Sequence, residues 1–175
     1  MTGRLLNYFL NDPIQSMHWI SIFYSGLIAS LLFMMGRMMF GFKTGLISAF
    51  LFLTSPVFWY KGITVYGYLN SGFFLLLTAF FCYAVFIGKK GYIYVAAISY
   101  AICTGVRPQE FPMLVPLFGV CLFLVSPRDR IWALFLFGGV SLLWFIPLLI
   151  LSGGLSSYLS LFQEGGGYLI ENSLW

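Results

Sequence analysis

The charged residues of this chain are few, and each lies at an end of, or in a gap between, six long apolar runs. Nine Lys or Arg and five Asp or Glu make up 8% of the 175 residues, whereas about a quarter of a soluble domain is charged. The runs comprise residues 17–40, 44–60, 67–87, 91–106, 111–125 and 131–151. This layout predicts an integral membrane protein, because charge is excluded from the bilayer core.

The lengths of the runs predict how they cross the bilayer. A hydrocarbon core of roughly 30 Å requires about 20 helical residues, which residues 17–40, 67–87 and 131–151 supply. The other three runs would extend only about 22 to 26 Å. We predict an all-α, polytopic transmembrane helix bundle of about six spans within residues 17–151. Residues 1–16 are then an interfacial N-terminal segment, and residues 152–175 are an outer loop or truncated tail.

The charges in alternate gaps predict the orientation. One side has six basic residues and one acidic residue: Arg37, Lys43, Lys89, Lys90, Arg128, Arg130 and Asp129. The other has three basic and four acidic residues: Arg4, Lys61, Arg107, Asp12, Glu110, Glu164 and Glu171. Loops rich in Lys and Arg stay cytoplasmic, so both termini are predicted to face outward. Because the basic residues flank the membrane, they do not indicate nucleic-acid binding.

Small residues and prolines within the runs predict how the helices pack. The pattern Ser25-Gly26 followed by Ala29-Ser30 would let a second helix approach the first closely, and Gly138 could do the same in the last run. Pro56 is predicted to kink its helix near the outer end. Cys82, Cys103 and Cys121 are an odd, widely spaced set inside apolar runs, so we interpret them as small core residues and predict no metal site.

The strongest candidate site is the outer turn formed by residues 105–110. Pro108 suits the first position of the fifth helix, and Gln109 and Glu110 suit its first turn. The planar guanidinium of Arg107 has five donors and is well shaped for a phosphate or a carboxylate. The alternative is that Arg107 only snorkels to the surface or pairs with Glu110.

A second candidate site combines aromatic rings with hydrogen-bonding groups near the same outer surface. Trp59, Lys61, Tyr68 and Asn70 lie at or just after the end of the second run and at the start of the third. Aromatic faces with a few polar groups suit a sugar or a lipid head group, and a lysine suits a phosphate. The alternative is an ordinary aromatic belt with a loop lysine.

Taken in order, the motifs of the chain resemble the membrane part of glycosyltransferases of the protein O-mannosyltransferase type, known as GT-C, in their bacterial branch. The matching residues are Asn11-Asp12-Pro13, Gly36-Arg37-Met38-Met39-Phe40-Gly41, Gly45-Leu46, Ser55-Pro56-Val57-Phe58-Trp59, Tyr68, Gly105-Val106-Arg107-Pro108-Gln109, Pro112, Pro116, Ser152-Gly153-Gly154 and Tyr158. Where members of this family often carry an acidic residue shortly after the tyrosine, this chain has Asn70.

The resemblance implies transfer of a sugar from a polyprenyl-phosphate donor to a glycan, lipid or protein acceptor. The reaction would take place on the outer face of a bacterial cytoplasmic membrane. Arg107 and Lys61 would bind the donor phosphate, and Trp59, Tyr68, Asn70, Gln109 and Glu110 would bind the substrate. The catalytic carboxylate is expected in a first outer loop outside these 175 residues. We therefore expect the chain to be a fragment of a longer enzyme. Whether the intact enzyme uses a divalent metal ion is left open by the resemblance. The alternative functions are a non-catalytic membrane subunit or a small transporter.

Overall fold

The computed structural model describes residues 13–56 and 68–154, and all of its regular structure within these ranges is helical. Within these two ranges lie six α-helices: α1 (Pro13–Phe40), α2 (Phe42–Thr54), α3 (Tyr68–Phe86), α4 (Ile93–Val106), α5 (Phe111–Leu124) and α6 (Pro127–Leu151). Short 3₁₀ turns, Lys90–Tyr92 and Pro108–Glu110, precede α4 and α5. The predicted all-α fold is confirmed, and α1 begins at Pro13, four residues before the first apolar run.

Three of the helices are long and apolar enough to cross a membrane. They are His18–Phe40 within α1, α3 and α6, with 23, 19 and 25 residues. Helices α2, α4 and α5 have 13 or 14 residues each, which corresponds to about 20 Å. The long helices carry large apolar side chains on the outside of the bundle, such as Phe135 at 70% and Leu143 at 76% exposed. Apolar side chains on the outer surface match a lipid environment.

Helices α1 and α2 form a tight hairpin around two glycines. The chain reverses at Gly41, whose φ of 100° lies in the region that glycine adopts most readily. A Cβ built on Gly45 would lie 2.5 Å from the Phe33 carbonyl oxygen, and one on Gly36 would lie 2.9 Å from the Gly45 Cα. The two backbones therefore touch where these glycines meet.

The close helix contacts predicted at Gly26 and Gly138 are not found in the described part of the chain. A Cβ on Gly26 or on Gly138 would have no heavy atom of another helix within 4 Å. The small-residue pattern identifies positions where a close approach is possible. It does not say which of them faces a neighbour, because that depends on how each helix is rotated in the bundle.

The helix of the second apolar run ends earlier than predicted. Helix α2 stops at Thr54, and Ser55 takes an extended conformation with φ −65° and ψ 124°. A residue that precedes proline is disfavoured in the helical region, so Pro56 ends the helix instead of kinking it. Pro147, by contrast, lies inside α6.

The core of the bundle lies between α3, α4, α5 and α6. Tyr100 of α4 is 2% exposed, and its ring stacks on Phe111 at 5.8 Å and packs against Phe118 and Phe137. Its hydroxyl donates to the Phe111 carbonyl oxygen at 2.6 Å. A buried hydroxyl requires such a partner, and this bond joins the start of α5 to α4.

The turn before α6 is held by a side-chain cap. The Ser126 hydroxyl accepts from the Asp129 N–H at 3.2 Å and donates to the Asp129 carboxylate at 2.7 Å. That carboxylate also accepts the Tyr94 hydroxyl at 2.6 Å, which ties α6 to α4.

We expect Ser126→Ala to lower the free energy of unfolding in detergent by about 1 kcal/mol, the usual contribution of a helix N-cap. Ser126→Asp retains a side-chain acceptor for the cap, although it places a second carboxylate beside Asp129, and should cost less. Denaturant titrations followed by circular dichroism would measure both variants. An unchanged Ser126→Ala midpoint would contradict the role of the cap.

Candidate functional site

Arg107 is positioned by the break between α4 and α5. Its backbone is extended, with φ −144° and ψ 97°, because the following Pro108 disfavours a helical conformation. Pro108 begins the 3₁₀ turn Pro108–Glu110, and α5 itself begins at Phe111. The prediction that Pro108 opens the fifth helical segment is confirmed, and the first turn of that segment is 3₁₀.

The Arg107 guanidinium lies over an aromatic ring from another helix. Its Cζ atom is 4.1 Å from the centroid of the Tyr68 ring at the start of α3, a cation–π distance. Its Nη1 atom is 3.9 Å from Oε1 of Glu110, which is too long for a hydrogen bond. The guanidinium thus lies against the Tyr68 ring, and its N–H donors make no hydrogen bond to the residues that the structure describes, so they can bind an anion.

Glu110 is held by a thiol from the preceding helix. The Cys103 thiol donates to Oε2 of Glu110 at 3.2 Å, and the Glu110 side chain is only 12% exposed. Its carboxylate therefore balances part of the Arg107 charge at close range. The pairing of Arg107 with Glu110, which the sequence left open, exists as a loose contact.

The other predicted site residues differ in where they lie relative to Tyr68, Arg107 and Glu110. Asn70 is half-buried in the first turn of α3, two residues after Tyr68, whereas Gln109 is exposed. Trp59 and Lys61 lie outside the described residues, so their part in the site stays a prediction. The structure thus brings together Tyr68, Arg107 and Glu110, three of the predicted residues.

An apolar cavity of about 560 Å³ opens beside the Arg107 turn. Its lining includes Thr104 and Pro108, on either side of Arg107, and Phe137, Ser141 and Trp144 from α6. Ser141 Oγ is a buried polar atom without a hydrogen-bond partner among the described residues. The sequence did not predict this cavity, although Gly138 was a signal, because its missing side chain leaves space open on α6.

Trp144 closes one side of the cavity and fixes α6 against α4. A Cβ built on Gly105 would lie 2.9 Å from the indole ring, so the ring rests directly on the glycine. The indole N–H donates to the Ala101 carbonyl oxygen at 3.0 Å. The close approach of α6 to α4 therefore depends on a glycine that leaves room for the indole.

Within residues 13–56 and 68–154, no three His, Cys, Asp or Glu side chains come together. These residues therefore form no centre of that kind for a hard metal ion. The Arg107 cluster offers a cation over an aromatic ring, a nearby carboxylate and an apolar cavity. This arrangement can bind a phosphate or carboxylate that carries an apolar chain. Comparison with protein-family models, curated proteins and solved structures finds no match to this chain.

Proposed function

We propose that this chain is part of an integral membrane glycosyltransferase that takes its sugar from a polyprenyl-phosphate donor on the outer face of the membrane. The observation that carries the proposal is the Arg107 guanidinium, which is oriented by Tyr68 and makes no short hydrogen bond to Glu110. An arginine at the end of a membrane helix with free donors suits a phosphate. The six-span topology, with both termini outward, belongs to the same proposal.

The donor lipid would lie along the apolar cavity. Thr104 and Pro108 border the cavity on both sides of Arg107, so a phosphate on the guanidinium would start its chain at the cavity mouth. The aromatic rings of Phe137 and Trp144 suit an unsaturated apolar chain. In this arrangement the sugar would point away from the cavity, toward Tyr68, Asn70, Gln109 and the outer loop that contains Trp59 and Lys61.

Transfer would be an inverting displacement at the sugar. The acceptor oxygen forms a bond to the anomeric carbon, the bond from that carbon to the phosphate oxygen breaks, and a base takes the acceptor proton. Arg107 would stabilise the negative charge that grows on the departing polyprenyl phosphate. The base is expected in a segment beyond these residues, as the family resemblance implies.

A non-catalytic subunit is the second candidate, and the contacts of the Glu110 carboxylate favour it. Among the described residues the carboxylates are Glu110 and Asp129. Glu110 is engaged by Cys103 and lies beside Arg107, and Asp129 is bonded to Tyr94 at the other end of α4. A chain with this arrangement could bind a lipid phosphate and present it to a catalytic partner.

We expect Arg107→Ala to weaken binding of a short-chain polyprenyl phosphate by about tenfold to a hundredfold, because hydrogen bonds to charged groups contribute about 1.5–3 kcal/mol. Binding would be measured on the full-length protein in nanodiscs, and sugar transfer in the same preparation should also be lost. Arg128→Ala, which removes an exposed arginine in the first turn of α6, is the matched control.

Three outcomes separate the candidates. Loss of binding and of transfer in Arg107→Ala alone supports the glycosyltransferase. Binding that depends on Arg107, without transfer in any preparation of the full-length protein, supports the subunit. Equal binding by wild type and Arg107→Ala would contradict both, since neither would then use this arginine.

A further inference from the structure

A second cavity, of about 550 Å³, lies between α1, α3 and α5. Four residues of its lining contain sulfur: Met35 and Met39 from α1, Cys82 from α3 and Cys121 from α5. The two methionines are one helical turn apart, so they lie on the same face of α1. The glycosyltransferase proposal makes no use of this cavity, and the two proposals are independent.

The two cysteines meet across the helix interface. The Cys121 thiol donates to the Cys82 carbonyl oxygen at 3.4 Å, and both cysteines line the cavity. Both are free, and they are 0% and 1% exposed. Separated by 39 positions in the sequence, they come together only because α3 and α5 pack side by side.

The set of donors decides which ion could bind. Thiolates and thioethers are soft ligands that select Cu(I), whereas Mg²⁺ and Ca²⁺ require oxygen ligands and Zn²⁺ sites use Cys, His, Asp or Glu. The lining contains no Asp, Glu or His. A methionine side chain has three rotatable bonds, so both thioethers can reach into the open volume beside the thiols.

We propose that this cavity binds a soft monovalent metal ion of the Cu(I) class, coordinated by Cys82, Cys121 and the thioethers of Met35 and Met39. On binding, one cysteine thiol gives up its proton to solvent and a thiolate–metal bond forms. The thiolate and the monovalent ion together are neutral, so the complex avoids the large cost of a net charge at membrane depth. The second thiol and the thioethers donate as neutral ligands.

The test is a Cu(I) competition titration on the purified full-length protein in detergent, without oxygen and against a chromogenic Cu(I) chelator. We expect one Cu(I) per chain and a thiolate-to-copper absorption band in the near ultraviolet. The double variant Cys82→Ser, Cys121→Ser should lose both. Met35→Leu with Met39→Leu should weaken binding by at least about tenfold, since even supporting partners of a metal site contribute that much.

Matched variants keep the result interpretable. Cys103→Ser removes the buried thiol beside Glu110, and Met34→Leu with Met38→Leu changes methionines of α1 that do not line the cavity. Both should bind Cu(I) like wild type. Leucine is close to methionine in volume, so the methionine variants should fold, which circular dichroism verifies. Wild-type affinity in Cys82→Ser, Cys121→Ser, or equal loss in both methionine pairs, would overturn the site.

Discussion

Gly45→Ala is expected to lower the free energy of unfolding by about 2–3 kcal/mol. The new methyl group would lie 2.5 Å from the Phe33 carbonyl oxygen and 2.9 Å from the Arg37 nitrogen. Both are backbone atoms of α1, so the contact cannot be relieved by turning a side chain and the two helices must move apart. Overpacking of this kind typically costs about 1–3 kcal/mol, and the backbone clash places Gly45 at the upper end.

The measurement is reversible unfolding of the detergent-solubilised protein, followed by tryptophan fluorescence. Gly26→Ala is the matched control, because a Cβ there has no neighbour from another helix within 4 Å. Alanine is about 1 kcal/mol better than glycine inside a helix, so the control should be neutral or slightly stabilised. If Gly45→Ala behaved like Gly26→Ala, the tight crossing of α1 and α2 would be contradicted.

Trp144→Ala is the second substitution with a large expected effect, about 2–3 kcal/mol of lost stability. It removes the ring that rests on Gly105 and the indole hydrogen bond to the Ala101 carbonyl oxygen. Truncation of a fully buried Trp costs about 3–5 kcal/mol in soluble proteins. We expect less here because Trp144 is half-buried and the unfolded helix would lie in detergent, which is as apolar as the core.

Two further variants divide the effect of Trp144→Ala into its parts. Trp144→Phe retains a ring and loses the indole N–H, so it should cost about 1 kcal/mol for the hydrogen bond plus a smaller packing loss. Trp132→Ala, on the same helix but 51% exposed, should cost less than about 1 kcal/mol. Equal losses of stability for Trp132→Ala and Trp144→Ala in the same assay would contradict a stabilising role for the contact between Trp144 and Gly105.

The polar residues show which parts of the candidate site could be predicted from the sequence. Arg107 and Glu110 are three positions apart in one turn, so local geometry alone made their pairing an explicit alternative. Tyr68 was predicted as a site residue on its aromatic character, but its position under the Arg107 guanidinium was not. That contact joins the first residue of α3 to the end of α4, and no local rule fixes how two helices align along their axes.

The apolar residues also form contacts that could not be predicted from the sequence. The sequence indicates Cys82 and Cys121 as separate core residues, and the hydrogen bond from the Cys121 thiol to the Cys82 carbonyl oxygen follows from the packing of α3 on α5. The cavity beside Arg107 also requires α4, α5 and α6 in place before its walls exist. Every face of these helices is apolar, so hydrophobic periodicity does not indicate which side turns inward.

The sequence by itself determined that the chain forms apolar helices separated by charged turns, because charge cannot remain in the bilayer core and backbone groups there must bond within a helix. Local rules also determined the extended residue before Pro108. Only the tertiary structure decided which glycine touches a backbone, which ring supports Arg107 and which sulfur atoms share a cavity. These depend on the rotation and depth of each helix, which close packing among nearly uniform apolar surfaces selects.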